Sequence, residues 1–443
     1  MPSIASRFFN RTLVPLCLII LCPPAVILIW FTNTHLQGSL ESLLQLFIQH
    51  GFFHVLWGIW GPIFFGTKTA WAVIGIFAAV QLILMRVVPG KPFQGPLTKK
   101  GNTPEYKANG VACFVITLAL FMGCSYGLHW FSPTVAYDNL GAILCALNIF
   151  SLVFCLLLYI KGLTKPSSSD HGSSGNPLFD YYWGTELYPR IFGWDVKQFT
   201  NCRLGMMAWP ILLLSYASKQ VELYGYLSDS MWVAVMIQMV YLMKFYLWET
   251  GYLRSIDIML DRAGFYICWG CLVWVPGVYT LSTMYLVTHP INLPTWLAVG
   301  IVMLGSGSVL VNYWADKQRQ IFRATNGQCK VWGKDPVTIH ATYINDDGEE
   351  KKSILLASGW FGVARHFHYV PEILGAFLWT LPAMFNHFLP YFYVVFLTVL
   401  LLHRAYRDEL KCAKKYGVYW QEYCKRVPSL IMPGVHLKFG GKK

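Results

Sequence analysis

The sequence predicts an all-helical, polytopic membrane protein with about ten transmembrane helices and a small cytosolic excursion between the eighth span and a C-terminal helical hairpin. Three observations carry this. Of the 443 residues, 55% are hydrophobic and only 13% charged, with a mean hydropathy of +0.44. A soluble chain is roughly one quarter charged, so a water-soluble globule cannot cover its surface with this composition. Apolar runs of spanning length recur along the chain, and the basic residues collect between alternate runs. Disorder, collagen-like repetition and a small disulfide scaffold are excluded on the same grounds.

The first span is Leu13 to Phe31. Cys22, Pro23 and Pro24 predict a kink in it, and its length without a small-residue cleavage site predicts an anchor rather than a removed signal. Seven more apolar runs follow: Thr69 to Val88, Val111 to Phe131, Leu140 to Ile160, Leu204 to Ala217, Met231 to Trp248, Phe265 to Val287 and Trp296 to Tyr313. Near the end, Ile373 to Phe385 and Leu389 to Leu402 are each short for a span and read as a tight hairpin broken around Asn386, His387 and Pro390. Phe52 to Gly66 is apolar enough to be re-entrant.

Orientation follows the basic loops. Arg7 and Arg11 precede the first span; Arg86, Lys91, Lys99, Lys100 and Lys107 follow the second; Lys161, Lys165, Arg190, Lys197 and Arg203 follow the fourth. Ala315 to Glu372 holds eight more Lys and Arg, whereas the loops after the third and seventh spans hold none. Both termini are therefore expected in the cytosol. The formal charge is +13, and Arg404 to Lys443, with ten basic and three acidic residues, supplies +7 of it. A basic segment after a span reads as a tail facing lipid headgroups, and no nucleic-acid-binding pattern accompanies it.

Most of the twelve cysteines lie in apolar runs and act as small hydrophobes. Cys268 and Cys271 match a C-x-x-C spacing but lack a second pair, so neither zinc nor a disulfide framework is expected. Pro166 to Gly175 is serine-rich and low in complexity, the composition of a flexible linker without chemistry. Between Ala315 and Glu372, Gly327 to Gly333 and Val337 to Gly348 read as short strands around a turn. A small polar excursion inserted between spans suggests a site.

Ionisable residues near spans are expensive and are usually paired or functional. Glu249, Tyr252, Asp257, Asp261 and Tyr266 gather around the sixth and seventh spans with Lys244. If helical, Glu249 shares a face with Tyr252, and Asp257 with Asp261. Neutralisation of the acids by Arg254 and Arg262 competes with a proton donor in this group. Arg319 and Arg323, four apart just after the eighth span, could clamp a phosphate, with headgroup contact the competing explanation. Arg404, Arg407, Lys411 and Lys414 form one basic stripe on a helix ending at Gly417, with Asp408 beside it. His366 and His368 lack an obvious third ligand and read as the wall of a polar pocket; no metal is expected.

Phe179 to Arg190 (FDYYWGTELYPR) resembles the first signature of the membrane sterol reductases, and Leu401 to Gly417 (LLHRAYRDELKCAKKYG) the second. Asn201 to Trp209, Gly264 to Pro276 and Ser358 to Tyr369 are similar to the branch that reduces the C7–C8 bond, its plant-like members especially. The resemblance implies a reductase of sterol 5,7-dienes in sterol biosynthesis that uses NADPH. Carried over motif by motif, it places the cofactor on Arg319, Arg323, Leu356, Phe361, His368, Tyr369, Asp408, Cys412, Ala413, Lys414, Lys415, Tyr416 and Tyr423. The chain departs from the family at Tyr188 (commonly Asn), Phe361 (frequently Trp), His368 (frequently Asn) and Leu260 (often His). Residues 1–313 are then the sterol chamber and 314–443 the NADPH-binding region.

Hydride is a nucleophile and a hydrocarbon alkene is electron-rich, so reduction requires protonation to a carbocation that hydride quenches. Tyr252 or Tyr266, or a carboxyl among Glu249, Asp257 and Asp261, is the expected donor. The sterol is expected to enter from the bilayer amid membrane lipid. The resemblance further implies an endoplasmic reticulum membrane if the source is eukaryotic, and admits association with other enzymes of sterol biosynthesis. Reduction at C14 or C24 competes within the family. A membrane isoprenylcysteine methyltransferase using S-adenosylmethionine competes from the C-terminal third, although Arg319 and Arg323 favour a phosphorylated dinucleotide. A sterol-binding scaffold like the membrane half of the lamin B receptor is the non-enzymatic alternative; the chain begins almost at its first span, so a basic tethering domain is not expected.

Overall fold

The computed structural model describes residues 8–344 and 348–435. Arg7, residues 345–347 of the polar stretch after the eighth apolar run, and Lys438, Lys442 and Lys443 of the basic C-terminal stretch lie outside the described residues. The all-helical expectation holds: among the described residues, eight helices are long and apolar enough to cross a membrane. Two compact units divide the chain. One comprises the residues up to Thr295 with Pro382–Phe392; the other comprises Trp296–Leu381 with Tyr393 onward. The expected boundary at 313/314 lies inside the helix Thr295–Ala324, and this division falls at the start of that helix.

In the first unit a π-turn, Phe9–Leu13, leads into α1 (Val14–His35), which stays helical through Pro23 and Pro24. Two short helices follow, α2 (Leu40–His50) and α3 (Phe52–Trp60); only α3, with the turn Gly61–Ile63 after it, lies in the stretch read as re-entrant. α4 (Lys68–Val87) is capped by Thr67, whose hydroxyl accepts the Ala70 N–H. A two-stranded ribbon, β1 (Lys91–Gln94) and β2 (Glu105–Ala108), connects it to α5 (Gly110–Met122). α6 (Leu140–Thr164) and α7 (Pro177–Trp183) follow, then the small ribbon of β3 (Arg190–Ile191) and β4 (Trp194–Asp195). A π-helical segment, Gln198–Gly205, opens into α8 (Met206–Tyr224), and α9 (Asp229–Leu247) returns. α10 (Phe265–Trp269) runs on through a second π-helical segment, Gly270–Tyr279, to Leu286.

Two expectations change here. The Leu204–Ala217 run belongs to α8, which Lys219 and Glu222 make polar in its last turns, so α8 is not among the eight apolar spans. Pro166–Gly175 is not a free linker. The buried Glu186 carboxylate accepts the Ser167 N–H at 2.5 Å, Asp180 accepts from Ser173 Oγ and the Ser174 N–H, and Arg262 donates to the Gly172 carbonyl. Carboxylates of the neighbouring signature segment hold the loop, which its own composition cannot reveal.

In the second unit α11 (Thr295–Ala324) carries the apolar run into a polar last third. β5 (Thr338–Ile344) pairs antiparallel with β6 (Glu350–Leu356). One expected strand is therefore present, but its partner is Glu350–Leu356, whereas Gly327–Gly333 is a turn with a single bridge, Val331 to Lys334. α12 (Tyr369–Thr380) is the short first arm of the hairpin. The second arm was expected to be short; instead Leu389–Tyr416 is one 28-residue helical stretch, mostly α13 (Phe392–Tyr416). Its apolar half needs no break before the charged half because Arg404–Lys415 contains only helix-compatible residues. Gly417, at φ +53°, ends it as expected, and α14 (Val418–Arg426) follows. Apolar side chains stand exposed on the long helices, among them Ile76, Leu157, Met303 and Val399, as lipid-facing surfaces require.

Candidate active site

The acid-bearing segment of the first unit is two single helical turns, Glu249–Tyr252 and Ile256–Met259, rather than a continuous helix. Asp261 lies beyond the second turn, so it shares no regular helix face with Asp257. Glu249 is buried and ion-paired with Arg203 (Oε1 to Nη2, 2.7 Å), and its Oε2 accepts the Gly110 N–H at 2.8 Å. With both oxygens engaged it suits a fixed counter-charge better than a proton donor. The neutralising residue is Arg203, not the expected pair: Arg254 lies over the Phe93 ring at 5.0 Å and Arg262 holds Gly172. The cation that meets Glu249 comes from the π-helical segment Gln198–Gly205, far from it in sequence, rather than from its own loop.

Lys197 is buried and donates to the carbonyls of Ile258 (2.6 Å) and Asp261 (2.7 Å), fixing the loop that carries Asp257 and Asp261. Burial brings its ammonium down to about 8 against the pull of Asp195 and Asp261. Tyr252 Oη accepts from Asn201 Nδ2 at 3.1 Å. Burial first, and the Asp257 carboxyl second, hold this phenol well above its usual range, so it stays protonated at neutral pH. Tyr266 instead stacks on Trp183 (5.7 Å, 17°) and meets Tyr182 at 5.9 Å, part of an aromatic wall.

Gly110 has to be glycine for this arrangement, since a Cβ there would stand 2.6 Å from Glu249 Oε2 and 2.8 Å from the Tyr246 ring. Gly110→Ala is expected to displace Glu249 from Arg203 and cost about 2 kcal/mol, read as a lower unfolding midpoint in detergent. An unchanged midpoint would show that the carboxylate has room to move.

The second unit gathers most of the carried-over cofactor residues. Arg319 lies 4.8 Å from the Phe361 ring centroid and 3.7 Å from Asp316. Arg323, one turn on, is within electrostatic reach of Arg319, Asp408, Cys412 and Tyr416. Leu356 and Phe361 share a small core with Phe322 and Val331. Tyr423 Oη donates to the Phe361 carbonyl at 3.1 Å, and Tyr416 and Tyr423 pack with Trp420 against the β5–β6 hairpin. His368 lies between Phe361 (5.6 Å) and Tyr369 (4.3 Å); burial pushes the Tyr369 phenol up to about 12. Lys415 sits over the Tyr343 ring at 4.1 Å, while Ala413 and Lys414 are on the exposed side of α13. His366 is 3.7 Å from Glu409, and no cluster of three or more potential metal ligands occurs among the described residues.

Sequence reasoning gave no role to the residues that hold both groups in place. Lys197 counted only as loop charge, Asn201 and Arg203 entered only within the Asn201–Trp209 resemblance and, for Arg203, as loop charge, and Gln198 was not weighed. Arg365 was likewise passed over, although it binds Glu409 through two nitrogens (2.8 and 3.2 Å) and the carbonyls of Val427 and Pro428. The available signal was a polar run, Lys197 to Arg203, leading directly into an apolar helix.

The profile of the Ergosterol biosynthesis ERG4/ERG24 family matches residues 26–436. The chain belongs to this family. Among its relatives, a 7-dehydrocholesterol reductase of Arabidopsis thaliana is 51% identical over 425 residues, 95% of this chain and 96% of that protein. A 7-dehydrocholesterol reductase of Xenopus laevis is 39% identical over 83% of this chain and 79% of that protein. A Delta(14)-sterol reductase of Methylotuvimicrobium alcaliphilum is 37% identical over 95% of this chain and 94% of that protein. As a sterol reductase family member, the chain combines a multi-pass membrane fold with the two polar groups described above.

Proposed function

We propose that this sterol reductase reduces the C7–C8 double bond of a sterol 5,7-diene with NADPH, in the endoplasmic reticulum membrane where its source is eukaryotic. The observation that carries the choice of bond is the 51% identity, over 95% of the chain, to a protein named for 7-dehydrocholesterol. For the cofactor, the support is a pair of like-charged guanidinium groups on one turn of α11, beside Phe361, Asp408 and Tyr416. Asp316, 3.7 Å from Arg319, offsets one of these two charges at most, and a nucleotide phosphate would join both. Arg319 and Arg323 would hold the phosphate, Asp408 a hydroxyl or amide, and Phe361, His368 and Tyr369 the flat rings. NADPH, when bound, supplies hydride.

The chain's own part is to bind the sterol, exclude water and deliver a proton. The apolar spans supply a chamber entered from the bilayer, with membrane lipid as the surrounding solvent. Among the candidate donors, Tyr252 is the protonated hydroxyl whose oxygen is fixed by a neutral partner. Asp257 and Asp261 sit on the loop held by Lys197, and association with other sterol-biosynthesis enzymes would occur through surfaces outside this site.

The test is direct: purified protein with NADPH and a 5,7-diene sterol should remove the conjugated-diene absorbance. Consumption of an 8,14-diene in place of the 5,7-diene would move the assignment to C14. Tyr252→Phe is expected to lower kcat on the order of 10²-fold with KM for the sterol little changed. Because the phenol titrates well above neutrality, the wild-type rate should show no alkaline limb from this group across the neutral range. Full activity in Tyr252→Phe would return the donor role to Asp257, Asp261 or Tyr266.

A further inference from the structure

The π-helical segment Gln198–Gly205, with Lys197 just ahead of it, grips the whole acid-bearing loop of the first unit. Gln198 and Arg203 are five residues apart, the i to i+5 repeat of a π-helix, and both reach Glu249 (3.4 and 2.7 Å). Lys197 and Asn201, four apart, both reach the stretch from Tyr252 to Asp261. Gly205, whose Cβ would lie 2.5 Å from the Cys271 carbonyl oxygen, lets this segment seat against the second π-helical segment. π-Helical insertions interrupt regular helices mostly where function needs a side chain redirected.

We infer that Asn201 is a positioning residue for proton transfer from Tyr252, an inference that rests on the reduction proposed above. Asn201 is 1% exposed; its Nδ2 donates to Tyr252 Oη at 3.1 Å, and its Oδ1 lies 3.1 Å from Thr200 Oγ1, a hydroxyl shared with the Val196 carbonyl. Since Oη accepts from Asn201, the phenolic hydrogen points elsewhere and is available for transfer. A hydrogen bond to phenolate is stronger than one to phenol, so the contact tightens as the proton leaves. It therefore favours the transition state over the ground state. Burial and Asp257 act against the phenolate, and the hydrogen bond from Asn201 works in the opposite direction.

In the step itself the Tyr252 O–H bond breaks and a C–H bond forms at one carbon of the sterol double bond. NADPH, when bound, would supply hydride to the electron-deficient neighbouring carbon and be oxidised by two electrons. The phenolate then recovers a proton from water. Asn201 touches no reacting carbon in this scheme; it orients and stabilises the oxygen that loses the proton.

Asn201→Asp keeps the shape but replaces the amide donor with a group that only accepts. The expected result is a fall in kcat of about 10- to 100-fold, with KM for the sterol and the dissociation constant for NADPH within about twofold of wild type. The solvent deuterium isotope effect on kcat should rise. In a Tyr252→Phe background the same substitution should cost little more, because the atom it serves is gone. Should the aspartate variant fail to assemble, Asn201→Ala reads the same loss and the same non-additivity. Wild-type kcat in the folded variants, or a full additive loss in the Tyr252→Phe background, overturns the inference alone. Wild-type protein that consumes no sterol diene overturns the reduction reading, and this inference with it.

Discussion

Replacing Arg319 and Arg323 together by Gln is expected to lower kcat/KM with NADPH on the order of 10³-fold while changing the value with NADH by less than about threefold. Each guanidinium–phosphate contact is a charge-assisted hydrogen bond of about 1.5–3 kcal/mol, so two lost contacts correspond to roughly two to four powers of ten. The geometry makes the pair the natural place for selectivity. Arg319 is held over Phe361 at 4.8 Å, so its position is set before any ligand arrives, and its carboxylate neighbour Asp316 is 3.7 Å away, too far for a close pair. Arg323 adds a second charge one turn on, within electrostatic reach of Asp408 and Tyr416. Glutamine preserves much of the stem and the polarity of each side chain but removes the charge. The check is steady-state kinetics with both nucleotides, plus titration of each nucleotide into the variant. Equal losses with NADPH and NADH would place the guanidinium groups on a phosphate common to both. Unchanged kinetics with both would end the phosphate-clamp proposal and leave the two arginines as headgroup contacts.

That pair was legible in the sequence because its logic is local. Two arginines at i and i+4 share a helix face wherever the helix goes, and the same holds for Arg404, Arg407, Lys411 and Lys414 on α13. The spans were legible for a similar reason: a run of about twenty apolar residues has few alternatives to a bilayer-crossing helix. What failed was every inference that needed a partner from another segment. Pro166–Gly175 has the composition of a linker, yet Asp180 and Glu186 bind its backbone. Arg254 and Arg262 are the basic residues expected to neutralise the acids around Glu249, yet Arg203 is the one ion-paired with Glu249. The hairpin partner of β5 was misplaced because strand pairing is decided by register between segments, which short alternating runs leave open. The candidate donors were legible only as a list of residues, and the proposal that prefers Tyr252 among them rests on contacts from Asn201, Arg203 and Lys197, which the sequence does not show.

The Arg203–Glu249 pair should give the largest stability effect of any single substitution in the first unit. Both side chains are buried, at 0% and 3% exposure, and meet at 2.7 Å. Arg203 Nη2 also donates to Asn109 Oδ1 at 2.8 Å, and Asn109 Nδ2 in turn donates to the carbonyls of Met85 and Val88. The pair thus ties the π-helical segment to the end of α4, the start of α5 and the acid-bearing turn. Arg203→Met strands a carboxylate, and Glu249→Leu strands a guanidinium; either is expected to cost about 3–5 kcal/mol, because a buried charge without its partner pays its full desolvation. The double variant, Arg203→Met with Glu249→Leu, removes both charges and should recover most of that loss, since well-packed apolar replacements of buried pairs are often neutral or better. Unfolding midpoints of the four proteins in one detergent decide the matter. Single variants as stable as wild type would mean that water reaches the pair. Recovered stability without recovered turnover in the double variant would assign the pair a second duty: holding the turn that carries Tyr252 in the geometry that proton transfer requires.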